Sequence, residues 1–211
     1  RRLVRKGIKR QALVTYTSNS INPNDMLIAY RAGLFPMAVS KNSQSISWVR
    51  PTKRGIIPIG KLHISRTTKK FIKKKHGIKP SIDRCFETIV KNCAGREDTW
   101  INKPIYDCYM QLYELGYAHS VEIWEDNLLI GGLFGISMGS CFFGESMFSS
   151  RTNGSKLALI FTMASLIYGK YKLFDIQFLT NHLKTMGATE VNNEEYQKLL
   201  SAGLKTESSF L

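Results

Sequence analysis

Apolar and polar positions along this chain follow two rhythms, one of period 3.6 and one of period 2, which trade places several times. Residues 1–20 read as irregular or weakly extended. Asn22-Pro23-Asn24 then offers a cap for a helix through DMLIAYRA, which Gly33 stops. FPM, a Ser/Asn/Gln loop over 40–45 and the short strand ISW follow. RGIIP and LHIS lead into a helix predicted from Ser65 to His76, with Ile64, Phe71 and Ile72 turned toward the protein. Beyond Gly77 the pattern predicts a strand over 78–82, a helix from Asp83 to Cys93, and a helix over 104–115 that Pro104 opens and Gly116 closes.

AHSVEIW and LLIGGLFGI flank Glu125-Asp126-Asn127 and read as a β-hairpin, with CFFGE as a third strand. Asn153 or Ser155 caps an apolar helix running to 168. LFDIQF is a strand, TNHLKTMG a short helix ended by Gly187, and the last helix spans Asn193 to Ala202. Hairpin, strand, helix, strand, helix implies a meander joined to one right-handed βαβ crossover. The expected fold class is therefore α+β with a mixed sheet, and ligands are expected at the carboxyl ends of its strands. A soft boundary at 77–80 divides the chain into an N-terminal domain, 1–77, and a second domain, 78–211.

LFDIQF departs from a simple core strand. Alternation puts Leu173, Asp175 and Gln177 on one side and Phe174, Ile176 and Phe178 on the other. A carboxylate and a carboxamide thus share a face of a strand apolar enough to be buried on both. Either neighbouring backbone satisfies this pair, or the pair does chemistry.

Charge sharpens the division of the chain. The 211 residues carry a net charge of +14 and are 43% hydrophobic, enough for a sizeable core. Up to Lys79 there are nineteen Lys/Arg against the single acid Asp25; from Pro80 onward there are eleven against fifteen acids. So long a basic stretch points to a polyanionic partner, nucleic acid or an anionic membrane surface. On the helix predicted over 65–76, Arg66, Lys69, Lys70 and Lys73 fall on one face, with Lys74 and Lys75 beside them. A solvated face is the bland reading of such a run; the acid-free surroundings favour a phosphate track. No apolar run approaches the length of a membrane span. Residues 1–24 contain no acid and several Arg/Lys, as organelle transit segments do, although a processed or trimmed end accounts for this equally.

The four cysteines, Cys85, Cys93, Cys108 and Cys141, form no C-x-x-C pair, which speaks against zinc and for free buried thiols in a reducing compartment. Cys141 with His119 has the residue types of a nucleophile and base, but core packing is the better reading. His119 and His182 read as structural hydrogen bonders.

Taken in order, AYRAGLFPM (29–37), RGIIP (54–58), HISR (63–66), CAGREDTWI (93–101), GYAHSVE (116–122), GGLFG (131–135), GESMFS (144–149), Ser155-Lys156, DIQ (175–177), His182-Leu183 and MGA (186–188) resemble the bacterial leucyl/phenylalanyl-tRNA–protein transferases over about residues 26–200. GESMFS and CAGREDTWI together are the most specific. WVRP (48–51) stands where the family often has WWSP, and LFDIQF where it has LIDCQV. The resemblance implies a GNAT-like acyltransferase domain preceded by a smaller N-terminal domain. It implies transfer of Leu or Phe, with Met as a further candidate, from aminoacyl-tRNA to the N-terminal amine of proteins beginning with Arg or Lys, tagging them for degradation. It also implies a cytoplasmic monomer with no membrane partner, cofactor or metal.

On that resemblance Gln177 presents its amide oxygen to the attacking amine, Asp175 stabilises the developing positive charge, and Glu145 holds a cation or hydroxyl in the cleft. Leu133, Phe142, Met147 and Thr162 would wall the side-chain pocket, though as isolated residues all four read as core. Trp100 and Met37 would stack the terminal adenosine, and Arg66, Lys69, Lys70, Lys73, Lys74 and Lys75 would track phosphates. Two other readings stay open. One is a CoA-dependent acetyltransferase of the same type, for which SSRTNGSK (149–156) is a poor copy of the pyrophosphate loop Q/R-x-x-G-x-G/A. The other is a non-catalytic RNA-binding module.

Overall fold

The computed structural model describes residues 12–74, 77–97 and 99–210. In chain order the elements are β1 (Ala12–Ser18), α1 (Pro23–Arg31), β2 (Phe35–Ala38), β3 (Ile46–Pro51), β4 (Lys53–Ile56), α2 (Arg66–Lys74), β5 (Ile78–Ile82), α3 (Phe86–Ala94), α4 (Lys103–Glu114), β6 (Ala118–Glu125), β7 (Leu128–Met138), β8 (Cys141–Ser149), α5 (Gly154–Tyr168), β9 (Leu173–Gln177), α6 (Asn181–Thr185), β10 (Thr189–Asn192) and α7 (Asn193–Leu204). The strands form a three-stranded sheet, β1-β3-β2, and a seven-stranded sheet, β10-β4-β9-β8-β7-β6-β5. Pairing is antiparallel except between β8 and β9, which α5 joins in parallel. The fold is thus α+β on a mixed sheet. No helix among the described residues is long and apolar enough to cross a membrane.

Period-2 alternation sorts the large sheet into two apolar faces. Phe134, Ile136, Phe143 and Leu173 pack with α1, α3, α4 and α7. Val121, Ile123, Leu133, Phe142, Phe174 and Ile176 pack with α5 on the other side, where Phe71 and Ile72 of α2 also rest. The helix α5 comes unusually close to β7 because both carry glycine there. A Cβ on Gly154 would stand 2.0 Å from the Ile130 carbonyl oxygen.

Several elements differ from the predicted pattern, each for a local reason. The helix expected from Asp83 begins at Phe86. Asp83 sits at φ +55, and its carboxylate accepts the Ser120 N–H at 2.7 Å and meets His119 Nδ1 at 2.7 Å. A short acidic side chain engaged with nearby backbone favours a turn over a helix. The strand β10 was not foreseen: its four residues TEVN hold one apolar side chain, Val191, and it exists because β4 offers an edge.

The strand β4 is also the main departure from the expected domain plan. It comes from the segment assigned to the basic N-terminal domain, 1–77, yet it lies between β9 and β10 of the large sheet. Met26, Tyr30, Phe35 and Trp48 share one buried cluster with Phe134, Phe143 and Tyr196, so the core is continuous across residue 77.

An ion pair pins β4 to β9. Arg54 is 2% exposed and Asp175 fully buried. Arg54 Nη2 donates to Asp175 Oδ2 at 2.7 Å, and Nε donates to Oδ1 at 2.9 Å. The guanidinium lies between the rings of Phe35 and Tyr196, 4.9 and 4.5 Å from their centroids, and Nη1 donates to the Gly33 carbonyl at 3.0 Å. Burial acts to lower the Arg54 pKa, but Asp175, together with Tyr196 and Tyr30, outweighs this and raises it. Removing one partner of such a pair strands the other charge in the interior, at a cost of about 3–5 kcal/mol, whereas replacing both by apolar groups of similar volume is often near neutral. Chemical denaturation should therefore show Arg54→Ala destabilised by about 3–5 kcal/mol and the double variant Arg54→Met/Asp175→Leu by distinctly less.

Candidate active site

The parallel pairing of β8 with β9 runs from Cys141 opposite Leu173 to Phe143 opposite Asp175 and then stops. Beyond that point the strands part. A cavity of about 260 Å³ opens between their carboxyl ends, lined by Gly144 to Met147 on one side and Ile176 to Phe178 on the other. Apolar side chains dominate its wall, with Glu145 and Gln177 as polar groups inside it. This is the strand-end location expected for a ligand in such a sheet.

Gln177 reaches the cavity by leaving the strand pattern. Its φ is +55, and the Phe178 N–H donates to the Ile176 carbonyl at 2.6 Å, closing a three-residue turn about Gln177. Turns of this kind with positive φ are rare and strained in non-glycine residues. Two features hold it. The Asp175 carboxylate accepts the Gln177 backbone N–H at 2.8 Å, and β4 offers no side chain where the turn abuts it. A Cβ on Gly55 would stand 2.9 Å from both Leu179 N and Phe178 C.

The shared face expected for Asp175 and Gln177 is therefore corrected. Asp175 does not line the cavity. Arg54, the Tyr196 hydroxyl at 2.7 Å and the Gln177 N–H occupy its carboxylate, so it touches the cavity wall only through the Gln177 backbone. Phe178 likewise leaves the Phe174–Ile176 side and packs edge-on against Phe35, at 5.6 Å between ring centroids.

Glu145 has two buried tyrosines for partners. Tyr30 Oη donates to Oε1 at 2.5 Å and Tyr109 Oη to Oε2 at 2.7 Å. Gln177 Nε2 lies 3.3 Å from the same Oε1, so the amide nitrogen turns toward Glu145 while no described residue donates to the Gln177 amide oxygen. Burial pushes the Glu145 carboxyl up to about 7; the tyrosine hydrogen bonds and Arg54 pull it down, and the Asp175 charge adds to the rise. Glu145 is thus poised to change protonation at neutral pH. Burial, with Glu145 next, raises both tyrosines well above their ordinary range and keeps them as donors.

The other expected residues divide in the same way. Leu133, Met147, Trp100 and Met37 line the cavity. The Ala38 N–H donates to the Trp100 carbonyl at 3.1 Å, which ties the Met37 strand to the Trp100 segment at one rim. Phe142 and Thr162 do not line it. Phe142 is fully buried, stacks on Phe210 at 4.8 Å and meets the cavity-lining Phe174 edge-on at 5.6 Å; Thr162 turns its hydroxyl back to the Ala158 carbonyl at 2.8 Å. Both were expected as pocket wall, and both are core because each is one layer too deep.

Arg66, Lys69, Lys70, Lys73 and Lys74 are exposed along α2, while Lys75 lies outside the described residues. Cys141 and His119 have separate partners: burial pushes the Cys141 thiol up to about 12 beside the Leu200 carbonyl, while His119 pairs with Asp83. All four cysteines are free, and Cys85 is only half-buried.

Sequence reasoning passed over Arg54, Tyr30, Tyr109, Tyr196 and Arg96. Arg54 opens RGIIP and Tyr30 stands in AYRAGLFPM, both stretches already singled out. A buried tyrosine usually needs a hydrogen-bond partner, and that was the available signal.

An apolar cavity at the ends of parallel strands, floored by an amide and a carboxyl near neutrality, defines a site for acyl or proton transfer on a partly apolar substrate. Comparison with known proteins names the family. The model of the Leucyl/phenylalanyl-tRNA protein transferase family matches residues 56–201. The chain is 45% identical over 193 residues to the Leucyl/phenylalanyl-tRNA--protein transferase of Zymomonas mobilis subsp. mobilis, covering 90% of this chain and 72% of that protein. It is 43% identical over 188 residues to the protein of the same name from Dinoroseobacter shibae, covering 89% and 84%. Among solved structures, L-PGS from Bacillus licheniformis covers 80% of this chain and 57% of its own at 14% identity and a TM-score of 0.42, too loose to carry an argument. The chain belongs to the leucyl/phenylalanyl-tRNA protein transferase family and is an aminoacyltransferase.

The raised Glu145 pKa carries a stability consequence. The folded state holds the proton up to about pH 7, whereas an unfolded glutamate releases it near ~4.3. Between these values the native state binds more protons, so this contribution is present at low pH and lost as pH rises through about 7. Denaturation across that window should show stability falling with pH in the unaltered protein, and a flatter dependence in Glu145→Gln.

Proposed function

We propose that this enzyme transfers Leu or Phe from aminoacyl-tRNA to the α-amine of proteins beginning with Arg or Lys, marking them for degradation, on a GNAT-like scaffold. The observation that carries the reading is the facing of Gln177 and Glu145 where β8 and β9 part, at the floor of an apolar cavity. The ester of an aminoacyl-tRNA is already activated, so no acyl-enzyme is needed. The acceptor nitrogen attacks the ester carbonyl, a C–N bond forms, the C–O bond to the ribose breaks, and the amine's proton ends on the ribose oxygen.

An α-amine has a pKa near ~8, so a useful fraction is neutral at physiological pH. Positioning then supplies much of the rate, with effective molarities reaching about 10⁵ M or more. In this reading the Gln177 amide oxygen accepts a hydrogen bond from the incoming amine. Glu145, with a pKa about 7, is matched to receive the proton the nitrogen gives up. Leu133, Met147, Leu159 and Leu183 surround the transferred side chain. Met147 suits a wall that accepts both a branched and an aromatic chain. Trp100 and Met37 take the adenosine. The exposed cations of α2 contact phosphates, which positions the RNA without reading its bases.

The acetyltransferase alternative asks for open backbone donors at the start of α5. There the Ser155 N–H already donates to Ser149 Oγ at 3.1 Å, and Gly154 abuts the Ile130 carbonyl. The RNA-binding module leaves the buried Glu145–Gln177 arrangement unused.

Incubation with leucyl-tRNA or phenylalanyl-tRNA and a peptide beginning with Arg should extend that peptide by one residue, and a peptide beginning with Glu should stay unmodified. Modification of the Glu peptide alone would contradict the assigned acceptor class, and modification of neither would contradict the reaction.

A further inference from the structure

Arg96 lies between α3 and α4, in the stretch that ends at Trp100. It is the one basic side chain among the described residues lining the cavity. Two hydrogen bonds fix its guanidinium: Nε donates to the Cys93 carbonyl at 3.1 Å and Nη2 to Ser146 Oγ at 2.7 Å. Ser146 adjoins Glu145 on β8, so the arginine spans the rim from the end of α3 to the strand that carries the carboxyl. No described carboxylate pairs with it, whereas Arg54 and Arg151 are each ion-paired. Its side chain is exposed, and both fixing bonds go to neutral oxygens, so no described residue neutralises its charge.

We propose that Arg96 is the binding site for the phosphate on the 5′ side of the donor's terminal adenosine. The proposal rests on the reading above, in which the donor is an aminoacyl ester of that nucleoside. With the acyl side chain in the cavity and the base at Trp100 and Met37, the ribose lies across the rim and its 5′ oxygen leads outward. The first anionic group met on that path is the phosphodiester joining the terminal adenosine to the rest of the RNA. A guanidinium matches two phosphate oxygens at once, and charge-assisted bonds of this kind are about twice as strong as neutral ones. The lysines of α2 stand on a separate helix and serve phosphates further along the RNA. Arg96 instead sets the depth to which the acyl ester enters, because it is braced against the same strand as Glu145.

The test compares two minimal donors, leucyl-adenosine esterified at the ribose 3′ oxygen, with and without a 5′-phosphate, using a peptide acceptor beginning with Arg. In the unaltered enzyme KM should be lower for the phosphorylated donor by about tenfold or more, the scale expected of a charge-assisted contact. In Arg96→Ala that ratio should fall to about one, and in Arg96→Lys it should lie between, since lysine keeps the charge and loses the fork. Because each variant is its own reference, loss of folded protein does not move the ratio. Equal KM values for the two donors in the unaltered enzyme, or an undiminished ratio in Arg96→Ala, would overturn the assignment. Leucyl-tRNA serves as the separate control. If it too yields no transfer, the reading of the donor fails and the phosphate site with it; if it alone is active while both adenosine donors are inert, the 3′ end is not the contact and the proposal fails while the function stands.

Discussion

The buried pair between Arg54 and Asp175 is the constraint on which the rest of the site depends. It joins a strand from the first third of the chain to the strand that ends in Gln177, and it does so inside a core where an unpaired charge is not tolerated. Phe35 and Tyr196 bracket the guanidinium, the Gly33 carbonyl takes one of its donors, and the Tyr196 hydroxyl completes the carboxylate. With its other lone pairs so filled, Asp175 still accepts the backbone N–H of Gln177. A strained φ of +55 at a non-glycine residue is thereby held in place by the part of the molecule least able to relax.

That arrangement separates two tasks often assigned to one carboxylate. Asp175 is locked in its ion pair with Arg54, out of contact with the cavity. Glu145 faces the cavity, and burial brings its carboxyl near neutral pH, with Tyr30 and Tyr109 as fixed donors. The two acids of this network thus have different partners, a guanidinium for Asp175 and phenols for Glu145, and it is burial that lifts the Glu145 carboxyl against the pull of its phenols. The apolar wall keeps the dielectric low around Glu145.

Much of this was legible in the amino-acid order. The hairpin, the third strand, the α5 crossover and the mixed sheet follow from periodicity, and Glu145, Gln177, Leu133, Met147, Trp100 and Met37 do come together at one cavity. The misplacements share a cause. Period-2 alternation assumes an unbroken strand, so it put Asp175 and Gln177 on one face and could not anticipate the turn that divides them. Phe142 and Thr162 carry the right chemistry for a pocket wall, but depth below a surface is not encoded in residue type. Arg54 was hidden because its partner lies 121 residues away. The strand β4 escaped the expected domain plan for the same reason: Lys-Arg-Gly-Ile has little apolar signal of its own, and its place is fixed by the β9 and β10 edges it fills.

On this account Asp175 serves the reaction chiefly by aiming Gln177, its charge adding a lesser push to the Glu145 carboxyl. A double-mutant cycle on kcat with Asp175→Asn, Gln177→Ala and both together tests it most directly, on variants first shown by circular dichroism to be folded. If the account holds, each single variant slows transfer and the double is little slower than Gln177→Ala alone, since an aligned strand end has nothing left to align. If the two losses multiply, Asp175 acts on the substrate independently, and the buried pair is not the device described here.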